Sequence, residues 1–164
     1  MPAELPPAIT IITATPEDWA AARAIRLEAL LRNPEAFGST YAESVGRSEA
    51  EWRAWVERPG GALLLALGPA GPVGIVGALR DDEDADARTA LIVSMYVAAE
   101  HRGRGVGRAL MTTLLARLAA DPALERARLH VMPGQQAARQ LYAALGFAPV
   151  GEHEGEIIME RALR

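Results

Sequence analysis

The segment Glu100-His101-Arg102-Gly103-Arg104-Gly105-Val106-Gly107-Arg108 places three glycines and three arginines where an apolar run gives way to a helical pattern. Glycines at such a junction let the backbone turn tightly and approach a ligand without β-carbons in the way. A helix opening at Val106 presents unpaired N–H groups and the positive end of its dipole to whatever fills the turn. Arg102, Arg104 and Arg108 add fixed charge suited to phosphate oxygens. The chemistry implied is local anion binding, although a glycine turn between two packed elements would look the same. Two common phosphate loops fit poorly. A Walker loop needs Gly-Lys-Ser/Thr, and all 17 basic side chains here are arginine. A dinucleotide fingerprint follows an early strand of a parallel βαβ unit, whereas this loop follows a run that reads as antiparallel.

The rest of the composition narrows the chemistry further. There is no cysteine, so disulfides, thiolate ligands and thiol nucleophiles are excluded. Without lysine, no side chain can form a Schiff base. A net charge of -4 gives no general reason to bind nucleic acid, and no His/Asp/Glu spacing suggests a metal site. Met1 to Pro7 lack a basic and apolar leader pattern and no window approaches 18 apolar residues, which predicts a soluble, cytoplasmic protein with no membrane partner.

The elements that must position the loop can be read from apolar spacing. Ala8 to Ala14 reads as a strand. Thr15-Pro16-Glu17-Asp18 supplies helix-start residues, and Ile25, Leu27, Leu30 and Leu31 recur at helical spacing until Asn33-Pro34. Phe37 to Glu43 has no period and reads as an ordered loop. Ser48-Glu49-Ala50-Glu51 looks like a capping box before a short helix with Trp52, Trp55 and Val56. Three apolar runs follow, Ala62 to Leu67, Val73 to Leu79 and Ala90 to Val97, as consecutive antiparallel strands. The acidic run Asp81 to Asp86 between the last two reads as a solvated hairpin tip. Val106, Leu110, Met111, Leu114, Leu115 and Leu118 mark a helix, Arg128 to Met132 a strand, and Ala138, Leu141, Tyr142 and Leu145 a second helix capped by Gly146. Ala148 to Glu152 and Glu156 to Glu160 close the chain as a strand pair. At 164 residues, without repeats or linkers, residues 1–164 are expected to form a single mixed α/β domain.

With these elements in place, two segments acquire a family resemblance. Met95 to Leu110 resembles the acetyl-CoA motif of the GNAT superfamily, Arg/Gln-x-x-Gly-x-Gly/Ala after a strand, with Arg102, Gly105 and Gly107 at its defining positions. Ala138-Arg139-Gln140-Leu141-Tyr142-Ala143-Ala144-Leu145-Gly146-Phe147 resembles the second signature, Ala-x-x-Leu-Tyr-x-x-x-Gly-Phe. The resemblance spans nearly the whole chain. It implies a mostly antiparallel sheet of about seven strands flanked by about four helices, with splayed strands binding coenzyme A. It also implies an N-acetyltransferase in which a primary amine of a small molecule, peptide or protein N-terminus attacks acetyl-CoA directly, with a homodimer among the assemblies it allows.

The resemblance also assigns roles. Met95, Tyr96 and Val97 would carry a bulge and hold pantetheine through backbone groups, one N–H acting as an oxyanion donor. Arg102, Gly103, Arg104, Gly105, Val106, Gly107 and Arg108 would hold the pyrophosphate. Tyr142 matches the tyrosine that protonates the departing thiolate or hydrogen-bonds its sulfur, while its position beside Leu141 and Leu145 equally suits a core aromatic. Where the family often has a cofactor-contacting asparagine, this chain has Gln135. The base is open. Glu43 and Tyr41 are candidates from the region between the first helices, and Ser94 and His130 from the splayed strands. A silent acyl-CoA-binding module is the competing reading, and Tyr142 is the feature such a module would not need.

Overall fold

The computed structural model describes residues 5–164 except 38, 59, 82 and 86. Met1 to Glu4, Gly38 in the interhelical loop, Pro59 and two residues of the acidic run, Asp82 and Asp86, lie outside the described residues. The first strand, β1 (Thr10–Thr13), leads into a 3-10 turn over Pro16–Asp18 and then α1 (Trp19–Arg32). The Asp18 carboxylate accepts from the Thr15 N–H at 2.8 Å, satisfying a donor at the helix entrance. After α1 the chain contains α2 (Tyr41–Val45), where sequence spacing predicts only an ordered loop. One turn is too short to show a period, but its signal was present: Thr40 Oγ1 accepts from Glu43 N and Glu43 Oε2 accepts from Thr40 N, both at 3.2 Å. The next helix, α3 (Glu49–Val56), starts at Ser48 as expected.

Three strands follow, β2 (Ala62–Gly68), β3 (Gly71–Arg80) and β4 (Thr89–Val97), paired antiparallel in succession. Then come α4 (Val106–Ala119), β5 (Arg126–Val131), α5 (Gln136–Ala144), β6 (Ala148–His153) and β7 (Glu156–Ala162). They form one seven-stranded sheet in the order β1-β2-β3-β4-β5-β7-β6. Every neighbouring pair is antiparallel except β4 and β5, which are joined through α4 and therefore run parallel. The architecture is the expected mixed α/β one, with five α-helices where about four were anticipated.

Both faces of the sheet are covered, which explains why β2 reads as an unbroken apolar run instead of an alternation. On one face Leu64, Val76 and Ile92 pack with Leu110, Met111 and Leu114 of α4. On the other, Leu63, Leu65 and Ile75 pack with Ile25 and Ala29 of α1 and Val56 of α3. Each fully buried leucine contributes about 2 kcal/mol relative to exposure. The edge strand β6 is exposed at every position and tolerates Pro149 because an edge lacks a second ladder.

The hairpin tip differs from its expected solvated form. Asp81 is buried, accepts from Arg128 Nη1 at 2.7 Å, and its other oxygen accepts from Glu83 N at 3.0 Å. The acidic run thus begins with a structural carboxylate tying the turn to β5. No described helix is long and apolar enough to cross a membrane.

Candidate active site

The central feature is a break in the sheet. β4 pairs with β5 from Thr89↔Arg126 to Ile92↔Leu129 and no farther, so Val93 to Val97 have no ladder partner on that side. At the same place β4 carries a bulge against β3, the register moving from Gly77↔Val93 to Ile75↔Tyr96. Ser94 sits there with φ 61, a left-handed conformation uncommon for a residue with a side chain. The inserted residue resets the alternation of faces. Ile92 packs on the α4 side, yet Tyr96, four positions on, packs on the α1 side, while Met95 and Val97 return to the α4 side. A groove of about 1180 Å³ runs through this gap.

The phosphate loop borders one end. Gly105 is the N-cap of α4 with φ 82, so only glycine takes this position without strain, and Ala109 N donating to Gly105 O closes the first helical bond at 2.9 Å. The N–H groups of Val106, Gly107 and Arg108 therefore have no intrahelical acceptor. Gly107 packs closely, since a β-carbon there would lie 3.0 Å from Met95 Cε and require that side chain to shift. Arg102, Gly103, Gly105, Val106, Gly107 and Arg108 line the groove, whereas Arg104 projects away and is exposed. Arg102 is not free to act only on a ligand. Its Nε donates to Val97 O at 2.8 Å and its guanidinium lies 5.6 Å from the Tyr96 ring centre, so it also clamps the loop to the bulged strand.

Met95, Tyr96 and Val97 line the same groove. The Tyr96 hydroxyl donates to Glu28 Oε2 at 2.9 Å, and burial together with that carboxylate pushes its pKa up to about 12. The ring anchors β4 to α1, which leaves the backbone as what Tyr96 offers a ligand. From the opposite wall comes Tyr142 on α5, buried and edge-on to Phe147 with ring centres 6.1 Å apart. Tyr142 belongs to the core and also lines the groove. Burial pushes its hydroxyl up to about 12, so it is a protonated donor at neutral pH. Gln135 lines the groove at the start of α5, with Oε1 accepting from Met132 N at 3.2 Å. Its carbonyl is spent on the turn and its amide N–H groups are what it can offer.

The base candidates separate cleanly. Ser94 and His130 line the groove. Glu43 does not: its carboxylate closes the capping box of α2, where helix geometry needs it, and the side chain is exposed away from the gap. Tyr41, on the same short helix, is also outside the groove. Among the described residues no group of three or more His, Asp or Glu side chains could hold a metal ion.

Residues 19–147 match the profile of the acetyltransferase (GNAT) family, which is most of the chain. The chain belongs to the GNAT family. It is thereby an acyltransferase of the kind that uses acetyl-CoA. A search of curated protein sequences yields no match. Among solved structures, a GNAT-family acetyltransferase from Streptococcus pneumoniae is similar at 19% identity and TM-score 0.81, over 94% of this chain and 98% of the other. The PaiA N-acetyltransferase from Thermoplasma acidophilum, solved with coenzyme A, gives 18% identity and TM-score 0.74 over 94% and 98% of the two chains. A phosphinothricin acetyltransferase from Sinorhizobium meliloti, solved with acetyl-CoA, gives 22% and 0.76 over 94% and 88%. At these identities the likeness concerns the fold.

In this GNAT chain the far end of the groove, toward α1 and α3, contains residues that motif reading misses: Arg26, Phe37, Trp55 and Arg58. Arg26 had a signal, for it falls on the same helical stripe as Ala22, Ile25, Ala29 and Leu30, where a charge is out of place. Arg58 had none, lying in the irregular segment after α3.

Proposed function

We propose that this protein transfers the acetyl group of acetyl-CoA to a primary amine by direct attack while both are bound. The observation that carries this reading is the convergence, in one groove, of the opened β4 edge, the unpaired N–H groups of α4 and the protonated hydroxyl of Tyr142. The donor fits the residues present. A pyrophosphate suits the N–H groups of Val106, Gly107 and Arg108 with the guanidinium of Arg108. The open edge from Val93 to Val97 suits an amide-bearing pantetheine arm, and Gln135 supplies further donors. Bound acetyl-CoA supplies an activated acyl group.

The chain's own contribution is then positional and electrostatic. Backbone groups of β4 hold the carbonyl and offer it an N–H, and the apolar walls exclude water that would hydrolyse the thioester. Tyr142 holds a proton toward the departing sulfur. The amine must shed one proton as the departing thiolate gains one; of the two candidates lining the groove the His130 imidazole can accept it, whereas the Ser94 hydroxyl, which accepts from Arg26, can only relay it. No cysteine nucleophile is available for a covalent route, which agrees with direct attack.

An amine panel with acetyl-CoA, followed by a thiol reagent for released coenzyme A, tests this reading without background thiols from the protein. Release dependent on an amine is expected. Binding of acetyl-CoA with no transfer to any amine would instead identify a sensing module.

A further inference from the structure

The acceptor end of the groove carries more positive charge than the protein around it compensates. Arg26 is 7% exposed, and its Nη1 donates to Ser94 Oγ at 3.2 Å while its Nε has no acceptor. The guanidinium lies 5.0 Å from the Phe37 ring centre and 5.7 Å from that of Trp55. Arg58 stacks on the same Trp55 at 4.6 Å; its Nε donates to Trp55 O, and its buried Nη1 has no partner. A β-carbon at Gly77 would lie 2.7 Å from that nitrogen, so the bare glycine is what lets the guanidinium settle against β3.

Arg53, Arg80, Arg88, Arg126 and Arg128 have carboxylate partners, and Arg104 and Arg108, which have no ion pair with a carboxylate among the described residues, are exposed to solvent. Among the described residues Arg26 and Arg58 have no carboxylate partner, and the only carboxylate lining the groove is Glu156 on β7. Burial, and for Arg58 the charge of Arg26, brings each down to about 10, while Arg47 adds repulsion at Arg26. Both nevertheless remain charged at neutral pH. Buried cations without anions are costly, and a site that keeps two of them is organised for an anion that arrives with a ligand. That anion is not the cofactor's phosphate, because α1 and α3 lie on the face of the sheet opposite α4.

Resting on the acetyl-transfer reading, we propose that the acceptor amine itself bears an oxyanion, a carboxylate or phosphonate, held by Arg26 and Arg58 beside Trp55. α-Amino acids are the simplest members of this class. Guanidinium donors pair with planar or tetrahedral oxyanions through parallel hydrogen bonds. Ser94, bonded to Arg26 on the bulge, ties this anion site to the strand that presents the acyl group.

The experiment compares matched acceptors on the full chain with acetyl-CoA: the proteinogenic L-amino acids and 2-aminoethylphosphonate against L-amino acid amides, phenethylamine and putrescine. The best acid should exceed its own amide by about 100-fold in kcat/KM, a loss expected when a buried charge pair is left half-made. The carboxylate and phosphonate arms tell which oxyanion is taken. Arg26→Gln and Arg58→Gln should each raise KM for the acid at least tenfold with acetyl-CoA affinity unchanged, and Arg58→Lys should recover part of it. Equal use of neutral amines would overturn the oxyanion site while leaving acetyl transfer intact. If no amine is acetylated, calorimetry with the same acids separates the two claims. Arginine-dependent binding would support the anion site while acetyl transfer fails, and no binding by any acid would overturn the site.

Discussion

The two ends of the groove are built on opposite plans. At the end proposed for the cofactor the groups on offer are mostly backbone: N–H groups at the start of α4 and the edge of β4 left open beyond its ladder with β5. At the end proposed for the acceptor they are side chains from separate segments, Arg26 on α1 and Arg58 after α3, converging on Trp55. Under the proposed function, the first plan would serve the donor that every reaction cycle shares, and the second could change with the acceptor without disturbing the sheet. Although the chain carries a net charge of -4, the described lining of its groove carries four arginines and one glutamate.

The comparison can be broken most forcefully at Tyr142, where the donor end meets the chemistry. Tyr142→Phe is expected to lower kcat about 100-fold while acetyl-CoA affinity stays within about twofold, as steady-state kinetics and calorimetry would show. An equal loss of affinity would make Tyr142 a packing residue. Next in size is Gly105→Val, which forces a β-branched residue to φ 82. A strain of about 2 kcal/mol should weaken acetyl-CoA about 30-fold, read by calorimetry, with the sheet still folded by circular dichroism.

The alkaline titration sharpens the same distinction between core and site. Tyr142 is raised from 10 to about 12 by burial, so the folded state keeps its proton where the unfolded chain has lost it. Its contribution to stability is fully present below pH 10 and is lost as pH rises through about 12. Phenolate absorbance should therefore show a late step near pH 12, shared with Tyr96, that Tyr142→Phe diminishes. The smallest effect belongs to Glu43→Ala. Loss of the α2 capping box should cost about 0.5 kcal/mol by denaturant unfolding, with kcat/KM changed less than twofold. A large drop in kcat alone would return Glu43 to the list of bases.

The uneven legibility of the fold follows from the same contrast. The strands and the longer helices could be read because apolar spacing and start signals such as Ser48-x-x-Glu51 are local. The glycine loop before α4 could be read as a turn because Gly105 answers to a local demand of conformation. The one-turn α2 escaped because five residues cannot display a period. Asp81 escaped because its partner Arg128 is 47 positions away. Arg26, Phe37, Trp55 and Arg58 escaped as a group because only the packing of α1 and α3 on the sheet brings them together, and no spacing along the chain encodes that meeting.

In the proposed function the α4 entrance and the opened β4 edge form the acetyl-CoA site. Calorimetric titration of acetyl-CoA into the wild-type protein and Gly105→Val tests it most directly. One site per chain is expected, with a dissociation constant below about 100 μM, within the usual range for enzyme substrates, and binding about 30-fold weaker in the variant. No heat and no shift in melting temperature with the wild type, or undiminished affinity in Gly105→Val, would contradict it.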